Sequence, residues 1–321
     1  MNKILITIPM DEKSRKKIDE LVGEKAIYLN SKEVTDSILN ECEAVIGNIP
    51  PKMLKEKENI KWVQLNSAGA NNYTENGILS ENTILTNATG AYGLALSEHM
   101  LAMVFSLMKK LPLYYENQKN YIWKDEGAVT SIFNSKTLVI GLGDIGSEFA
   151  KKMKALGSKV YGIRRNITSV PDYLEGLYKL QDLDNILSEF DIVALSLPES
   201  SETKNLFNKE RFNKMKRNSI FINVGRGSSV VSEDLYEALN SEIIGGAGLD
   251  VTHIEPLPEN DKLWNAKNII ITPHIAGGYH LEETLSRIRD ISIKNLEAYI
   301  NGKSMINIVD FKTGYRKFLG K

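Results

Sequence analysis

Cysteine is nearly absent from this chain. Cys42 is the only one, which excludes an internal disulfide and suits a reducing cytosol. It lies in a helix-like segment without a CxxC partner and reads as a buried structural thiol. An excess of charge is missing too: the net charge is −1, so nothing favours nucleic acid or an anionic membrane, and any anion selectivity must come from a local site. No apolar run approaches the roughly 20 residues that span a bilayer. The start, Met1 to Pro9, has too short an apolar stretch for a signal peptide and no small-residue cleavage site, so a cytoplasmic protein is expected. Repeats of solenoid period and low-complexity segments are also lacking. What remains is an ordinary globular composition, 42% apolar and 25% charged, over 321 residues, a length that suggests two domains.

The chain is organised around Lys136 to Ala150. Leu138-Val139-Ile140 reads as a buried strand, and Ile145, Phe149, Met153 and Leu156 then fall on one face of a helix. Between them Gly141, Gly143 and Gly146 have the G-x-G-x-x-G spacing of a dinucleotide-binding turn. Gly141 permits the tight turn, Gly143 lets backbone approach a pyrophosphate, and Gly146 lets the helix pack close. With Asp144 and Ile145 between the glycines, the helix points unpaired N–H groups and its positive dipole end at the phosphates. The glycine motif alone is weak; the strand before it and the helix after it carry the nucleotide reading.

Residues 1–90 alternate short apolar runs with amphipathic helices, which predicts a parallel sheet covered by helices. Strands are expected at Ile4–Ile8, Ala26–Leu29, Ala44–Ile46, Trp62–Leu65 and Ile84–Leu85, with Ile18, Leu21 and Val22 on the first helix's apolar face. Pro9-Met10-Asp11 follows the first strand where a glycine fingerprint would stand, so this unit is assigned to something other than the nucleotide. Asn66 to Ala70 is a small-residue loop whose N–H groups could face an anion, although an ordinary strand-to-helix loop has the same spacing. Ala91–Lys110 predicts a long helix with His99 inside an apolar array, where a core or packing histidine is favoured over a catalytic one. Pro112 interrupts it, and Tyr114–Asn134 lacks periodicity and suggests an excursion packed against a second subunit. Further strands are expected at Lys159–Ile163, Asp191–Leu197, Ser219–Val224, Gly246–Val251 and Asn268–Thr272, and a helix N-capped by Ser232 over Asp234–Leu239. Leu281–Ile300 is a second long helix, stopped by Asn301-Gly302 and followed by an extended tail, Met305–Phe311. The expected division is a substrate domain of residues 1–94 and 279–321 and a dinucleotide-binding domain of residues 95–278.

An NAD site usually carries Asp or Glu about 20 residues beyond the first glycine, bonding the ribose hydroxyls. Here that position holds Arg164, followed by Arg165, and the nearest downstream acid is Asp172. A guanidinium can bind a 2′-phosphate through charge-assisted hydrogen bonds, whereas a carboxylate would repel it. NADP(H) is therefore predicted over NAD(H), with NAD(H) still possible should both arginines be solvated.

Hydride transfer to a carbonyl also needs a substrate anchor, a proton donor and a group that holds the donor, all just past the carboxyl ends of strands. Arg226 lies between Gly225 and Gly227 at a strand end, and its planar fork can grip a carboxylate and an adjacent keto oxygen. The next strand end supplies Asp250, His253 and Glu255, and the last presents His274. Histidine carries protons near neutral pH, and a carboxylate partner fixes its tautomer.

Gly141–Gly146, Asn223 to Gly227, Asp250 with Glu255-Pro256, and Thr272 to Gly277 resemble, in order and approximate spacing, the D-isomer-specific 2-hydroxyacid dehydrogenases; Ser67-Ala68-Gly69 and the helix through Glu98-His99 extend the resemblance over nearly the whole chain. It implies two Rossmann-like α/β domains with an interdomain cleft: a flavodoxin-like substrate domain and a doubly wound parallel-sheet dinucleotide domain. The implied catalytic set is Arg226, Glu255 and His274, with His274 giving its proton to the carbonyl oxygen, Glu255 behind it, and Arg226 orienting substrate beside backbone N–H groups near Ala68 and Gly69. Toward the cofactor it implies Gly141, Gly143, Asp144, Ile145, Gly146, Arg164, Arg165, Pro198, Thr203, Val224, Gly225, Asp250 (beside the nicotinamide amide) and His274, and no metal. Ser196 departs from the histidine that many members carry. His253 has no counterpart and reads as a loop residue, and His280 as the start of the last helix. The implied activity is an NADPH-linked reduction of a small 2-keto acid, such as glyoxylate or hydroxypyruvate, to a D-2-hydroxy acid by a homodimer, and no regulatory domain is expected after the last helix. Two alternatives share the fold: a phosphoglycerate dehydrogenase-like enzyme, and a non-enzymatic dinucleotide sensor like the C-terminal-binding corepressors.

Overall fold

The computed structural model describes residues 2–317 except Asn166 and Thr168, so Met1 and residues 318–321 of the expected first domain lie outside it. The chain divides into two units, Met1–Tyr92 with Tyr279–Lys321, and Gly93–Gly278. The first break falls two residues before the expected boundary at 94, because Gly93 already opens the long helix and belongs with it.

In the first unit the chain runs β1 (Lys3–Ile6), α1 (Glu12–Val22), β2 (Ala26–Tyr28), α2 (Asp36–Glu41), β3 (Cys42–Ile46), β4 (Trp62–Gln64) and β5 (Ile84–Thr86). The strands form one parallel sheet in the order β2-β1-β3-β4-β5. Their near-continuous apolar runs suit a sheet covered on both faces: Ile4, Leu5, Val45, Ile46 and Val63 are all fully buried. Pro9 and Asp11 have structural uses. The Asp11 carboxylate caps α1 by accepting from Ser14 N–H at 2.7 Å, and the nearly buried Arg289 donates to Pro9 O at 2.8 Å and to Asp11 at 2.9 Å.

The chain leaves this unit and returns to it. The second unit comprises α3 (Gly93–Met108), α4 (Leu111–Lys119), β6 (Lys136–Ile140), α5 (Asp144–Ala155), β7 (Lys159–Ile163), β8 (Gly176–Tyr178), α6 (Leu183–Ile186), β9 (Ile192–Leu195), α7 (Lys209–Lys214), β10 (Ile220–Asn223), α8 (Ser232–Asn240), β11 (Gly246–Leu249) and β12 (Ile269–Ile271). Its strands are all parallel, in the order β12-β11-β10-β9-β6-β7-β8. The order reverses between β6 and β9, and ligands of open parallel sheets bind at such a switch point. The return to the first unit is α9 (Glu282–Ile300), followed by the small antiparallel pair β13 (Val309–Asp310) and β14 (Tyr315–Arg316). A buried polar ladder fastens it: Asn295 donates to Gln64 at 2.7 Å and accepts from Ile306 N–H at 2.8 Å, and Trp62 Nε1 donates to Thr86 Oγ1 at 2.9 Å. Every rung is a side-chain hydrogen bond that a buried polar group requires.

Several expectations need correction. Cys42 opens a strand rather than lying in a helix, because α2 ends at Glu41. Pro112 does not end helical structure. Lys110 takes a left-handed conformation and Pro112 sits in the first turn of α4, so Tyr114–Lys119 of the supposed irregular excursion is helical. Ser232 is the first residue of α8, not its cap; the N-cap is Val231 without a side-chain bond. Leu156 is 39% exposed at the end of α5 and leaves the apolar face to Phe149 and Met153. The edge strand β8 was not anticipated, since Gly176–Tyr178 is short and half-buried. Only Val309–Asp310 of the extended tail is strand.

The Cys42 side chain is fully buried, donates to Ile38 O at 3.2 Å, and has its pKa pushed up to about 11, first by burial and then by the Glu41 charge. At pH 8 the group lies well below that value and stays a thiol, so the native protein is expected not to react with a disulfide-exchange reagent. One thiol should appear on denaturation; rapid labelling of the native chain at pH 8 would contradict the burial.

Candidate active site

The dinucleotide turn lies at the switch point. Gly141, at φ +98°, leaves β6 in a conformation that a side chain disfavours. A Cβ on Gly146 would stand 1.9 Å from Gly141 O, so only glycine lets α5 come this close to the turn. Gly143 contrasts with it: among the described residues no atom lies within 4 Å of where its Cβ would be, and no side chain caps α5 above it. Bare backbone, open space and a helix N-terminus fit the pyrophosphate of a dinucleotide. Ser196, where histidine was the family expectation, donates from Oγ to Gly141 O at 2.7 Å and pins the turn.

Eight more residues expected at the cofactor come as four pairs. Val224 and Gly225 are buried at the end of β10, and a Cβ on Gly225 would meet Leu197 O at 2.5 Å, so this loop packs on the one after β9. Pro198 and Thr203 shape that neighbouring loop: Thr203 Oγ1 donates to Pro198 O at 2.7 Å and accepts from Ser200 N–H at 2.8 Å. Asp144 turns to the start of α3, where its carboxylate accepts from Gly93 N–H at 2.8 Å, while Ile145 is half-buried. Arg164 and Arg165 follow β7, half-buried and exposed respectively, and neither guanidinium forms an ion pair among the described residues. Among the described residues only the backbone of Arg164 is engaged, its N–H donating to Tyr178 O at 3.2 Å.

Arg226 sits just past β10. A Cβ on Gly227 would lie 1.9 Å from Thr252 O, so the Arg226 loop and the loop after β11 touch backbone to backbone. Asn223, buried at the end of β10, donates to Arg226 O and accepts from Gly225 N–H, both at 3.0 Å. This clamp fixes the backbone beneath Arg226, whose guanidinium is half-buried and donates to Gly225 O at 2.8 Å.

Asp250, only 2% exposed, organises the rest. Its Oδ1 accepts from Thr272 Oγ1 at 2.6 Å and Ile275 N–H at 3.0 Å, and its Oδ2 from Ala276 N–H at 3.2 Å. The Asp250 carbonyl accepts His274 N–H at 2.8 Å. The segment 272–276 thus wraps around one buried carboxylate, and this holds His274 in a left-handed conformation, φ +52°. The His274 side chain is half-exposed, and its Nδ1 lies 2.8 Å from Glu255 Oε2. The other Glu255 oxygen accepts from Thr252 N–H at 3.1 Å. With the carboxylate as acceptor, Nδ1 carries a hydrogen and Nε2 is left as the atom that can hold or release a further proton. His99, on α3, has its Nε2 3.0 Å from Thr272 Oγ1 and 3.8 Å from Asp250 Oδ1, so a residue expected merely to pack is hydrogen-bonded. The sequence carried no signal for the Asn223 clamp or the Thr272 link beyond the place of both residues at the head of a motif. His253 is exposed in a loop, and His280 lies in the turn before α9.

In the first unit, Asn48 and Asn66 exchange backbone-to-side-chain bonds at 2.6 and 3.0 Å, Ser67 Oγ donates to Gly69 O at 2.7 Å, and Asn87 donates to Ala68 O at 2.7 Å. These bonds shape the loop while the N–H groups of Ala68 and Gly69 find no acceptor among the described residues.

Two parallel-sheet units, one with a glycine turn at its switch point and a histidine backed by a carboxylate, define an NAD(P)-dependent dehydrogenase. Residues 101–276 match the NAD-binding domain of the D-isomer-specific 2-hydroxyacid dehydrogenases, and the chain belongs to that family. It is 32% identical to a hydroxypyruvate reductase of Blautia hydrogenotrophica over 310 residues, 91% of this chain and 93% of that one. It is 30% identical to a D-3-phosphoglycerate dehydrogenase of Synechocystis over 322 residues, 96% of this chain but 56% of the longer relative. Among solved structures, a D-isomer-specific 2-hydroxyacid dehydrogenase family protein from Aeromonas salmonicida superposes with a TM-score of 0.84 at 27% identity, covering 97% of this chain and 100% of that one.

Two of the three fingerprint glycines make a paired prediction. Gly143→Val should leave the melting temperature nearly unchanged, because its side chain enters open space, yet raise KM for the dinucleotide at least tenfold. Gly146→Val should lower the melting temperature by several degrees, as overpacking costs about 1–3 kcal/mol. Thermal melts with dinucleotide titration check both, and equal losses of stability would refute the distinction.

Proposed function

We propose that this enzyme uses NADPH to reduce a small 2-keto acid of the glyoxylate or hydroxypyruvate kind to the D-2-hydroxy acid. The observation that carries the reading is the His274 imidazole, bonded through Nδ1 to Glu255, which leaves Nε2 to deliver a proton. A bound nicotinamide supplies the hydride. His274 protonates the forming alkoxide, Glu255 keeps the ring oriented and balances the charge it carries, and Arg226 draws in the substrate carboxylate. The backbone N–H groups of Ala68 and Gly69 are assigned to substrate oxygen, and Asp250 to the nicotinamide amide as well as to the loop it holds. The kinship with a hydroxypyruvate reductase at 32% identity supports this substrate class.

The preference for NADPH rests on Arg164 and Arg165, which have no acidic partner among the described residues and stand where an NAD site would hold a carboxylate. Charge-assisted hydrogen bonds to a 2′-phosphate contribute about 1.5–3 kcal/mol each, and about 1.4 kcal/mol is already tenfold. NAD(H) remains a slower alternative.

A homodimer is also part of the reading. Tyr121 and Trp123, after α4, are 97% and 106% exposed, and Leu111, Tyr115 and Phe133 add apolar surface in the same segment. Large aromatic side chains left this bare are the usual anchors of a protein interface.

Two measurements test these statements. A panel of 2-keto acids run with both cofactors should give turnover on the smallest substrates and at least tenfold higher kcat/KM with NADPH. Turnover on none of them would remove the substrate assignment, and a tenfold preference for NADH would remove the cofactor assignment. Light scattering after gel filtration should give a mass near twice that of the chain, moving toward one chain in Trp123→Glu; a monomeric parent would end the dimer.

A further inference from the structure

We propose that His99 is a positioning residue of the reaction, acting through the Thr272 hydroxyl on the Asp250 carboxylate and so on the loop that aims His274. This rests on the reading of His274 as proton donor. The Thr272 hydroxyl has a single hydrogen, and its 2.6 Å contact to Asp250 Oδ1 uses it. At 3.0 Å from that hydroxyl oxygen, His99 Nε2 must therefore be the donor. The result is a relay in one direction: His99 Nε2–H to Thr272 Oγ1–H to Asp250 Oδ1. Asp250 in turn holds Ile275 and Ala276 by their N–H groups and His274 through its own carbonyl.

The relay starts on a helix and ends on a strained turn. α3 packs against β10, β11 and β12, so His99 refers the loop after β12 to a rigid element rather than to another loop. His274 sits at φ +52°, a conformation that a non-glycine residue keeps only when its surroundings enforce it. Loss of the His99 donor leaves Thr272 free to turn its hydroxyl, and the carboxylate then loses its shortest bond. Misplacement of a reacting group by about 1 Å can cost about a hundredfold in rate. A residue that only packed would not aim its ring nitrogen at a hydroxyl while apolar Met100 and Met103 lie beside it on the helix.

The test compares His99→Leu, His99→Gln, Thr272→Val and the Leu/Val double variant with His274→Ala, reading kcat, KM for NADPH and for the keto acid, and the melting temperature. His99→Leu should lower kcat about ten- to a hundredfold with both KM values within about twofold of the parent. His99→Gln, whose amide N–H reaches the same place, should recover most of that loss. The double variant should lose no more than Thr272→Val alone, since both act through one bond. A His99→Leu variant with kcat within about twofold of the parent, while His274→Ala is crippled, overturns the inference and leaves the proton donor standing. So does a loss of melting temperature that Gln fails to restore together with kcat. Full activity in His274→Ala would remove the parent reading and this one with it.

Discussion

A carboxylate almost sealed from water must have its charge met by hydrogen-bond donors, and Asp250 meets this demand with the segment that carries His274. The requirement runs in both directions. The carboxylate is tolerable because Thr272, Ile275 and Ala276 bond to it, and the segment keeps its left-handed residue because the carboxylate holds it on either side. His274 thereby presents Nδ1 to Glu255 without any regular secondary structure of its own.

Glycine solves a second problem, that of bringing strand ends together. Three of them, Gly146, Gly225 and Gly227, stand where a Cβ would collide with the backbone of Gly141, Leu197 or Thr252. Each removes a side chain so that one loop can touch the next, and Arg226 is held between two of them. Gly143 removes a side chain for the opposite purpose, leaving space beside the first turn of α5. The same residue type thus serves both contact and vacancy, and only the surrounding atoms tell these uses apart.

The parallel strands and long helices were legible because their signals are local: a buried strand is a short run of apolar residues, and α3 and α9 repeat theirs along one face. Boundaries moved where a signal was ambiguous. Cys42 follows a helix of six residues too closely for periodicity to separate them, and Pro112 fits the first turn of a new helix as well as the end of an old one. The relay through His99 was illegible for a different reason. His99 and Thr272 are 173 positions apart, and nothing in the composition around His99 separates a donor from a packing residue.

By itself the sequence determined the family and the α/β class, and it singled out candidate groups: the glycine turn, Arg164 in place of an acid, Arg226, Glu255 and His274. These are statements about residue type and short spacing, and both survive unfolding. Tertiary structure alone decided the contact distance between His274 and Glu255, that Asp144 turns to α3, and that His99 meets a hydroxyl. A hydrogen bond depends on angles and distances of a few ångströms between segments far apart in the chain, and packing of the sheet and its helices sets those.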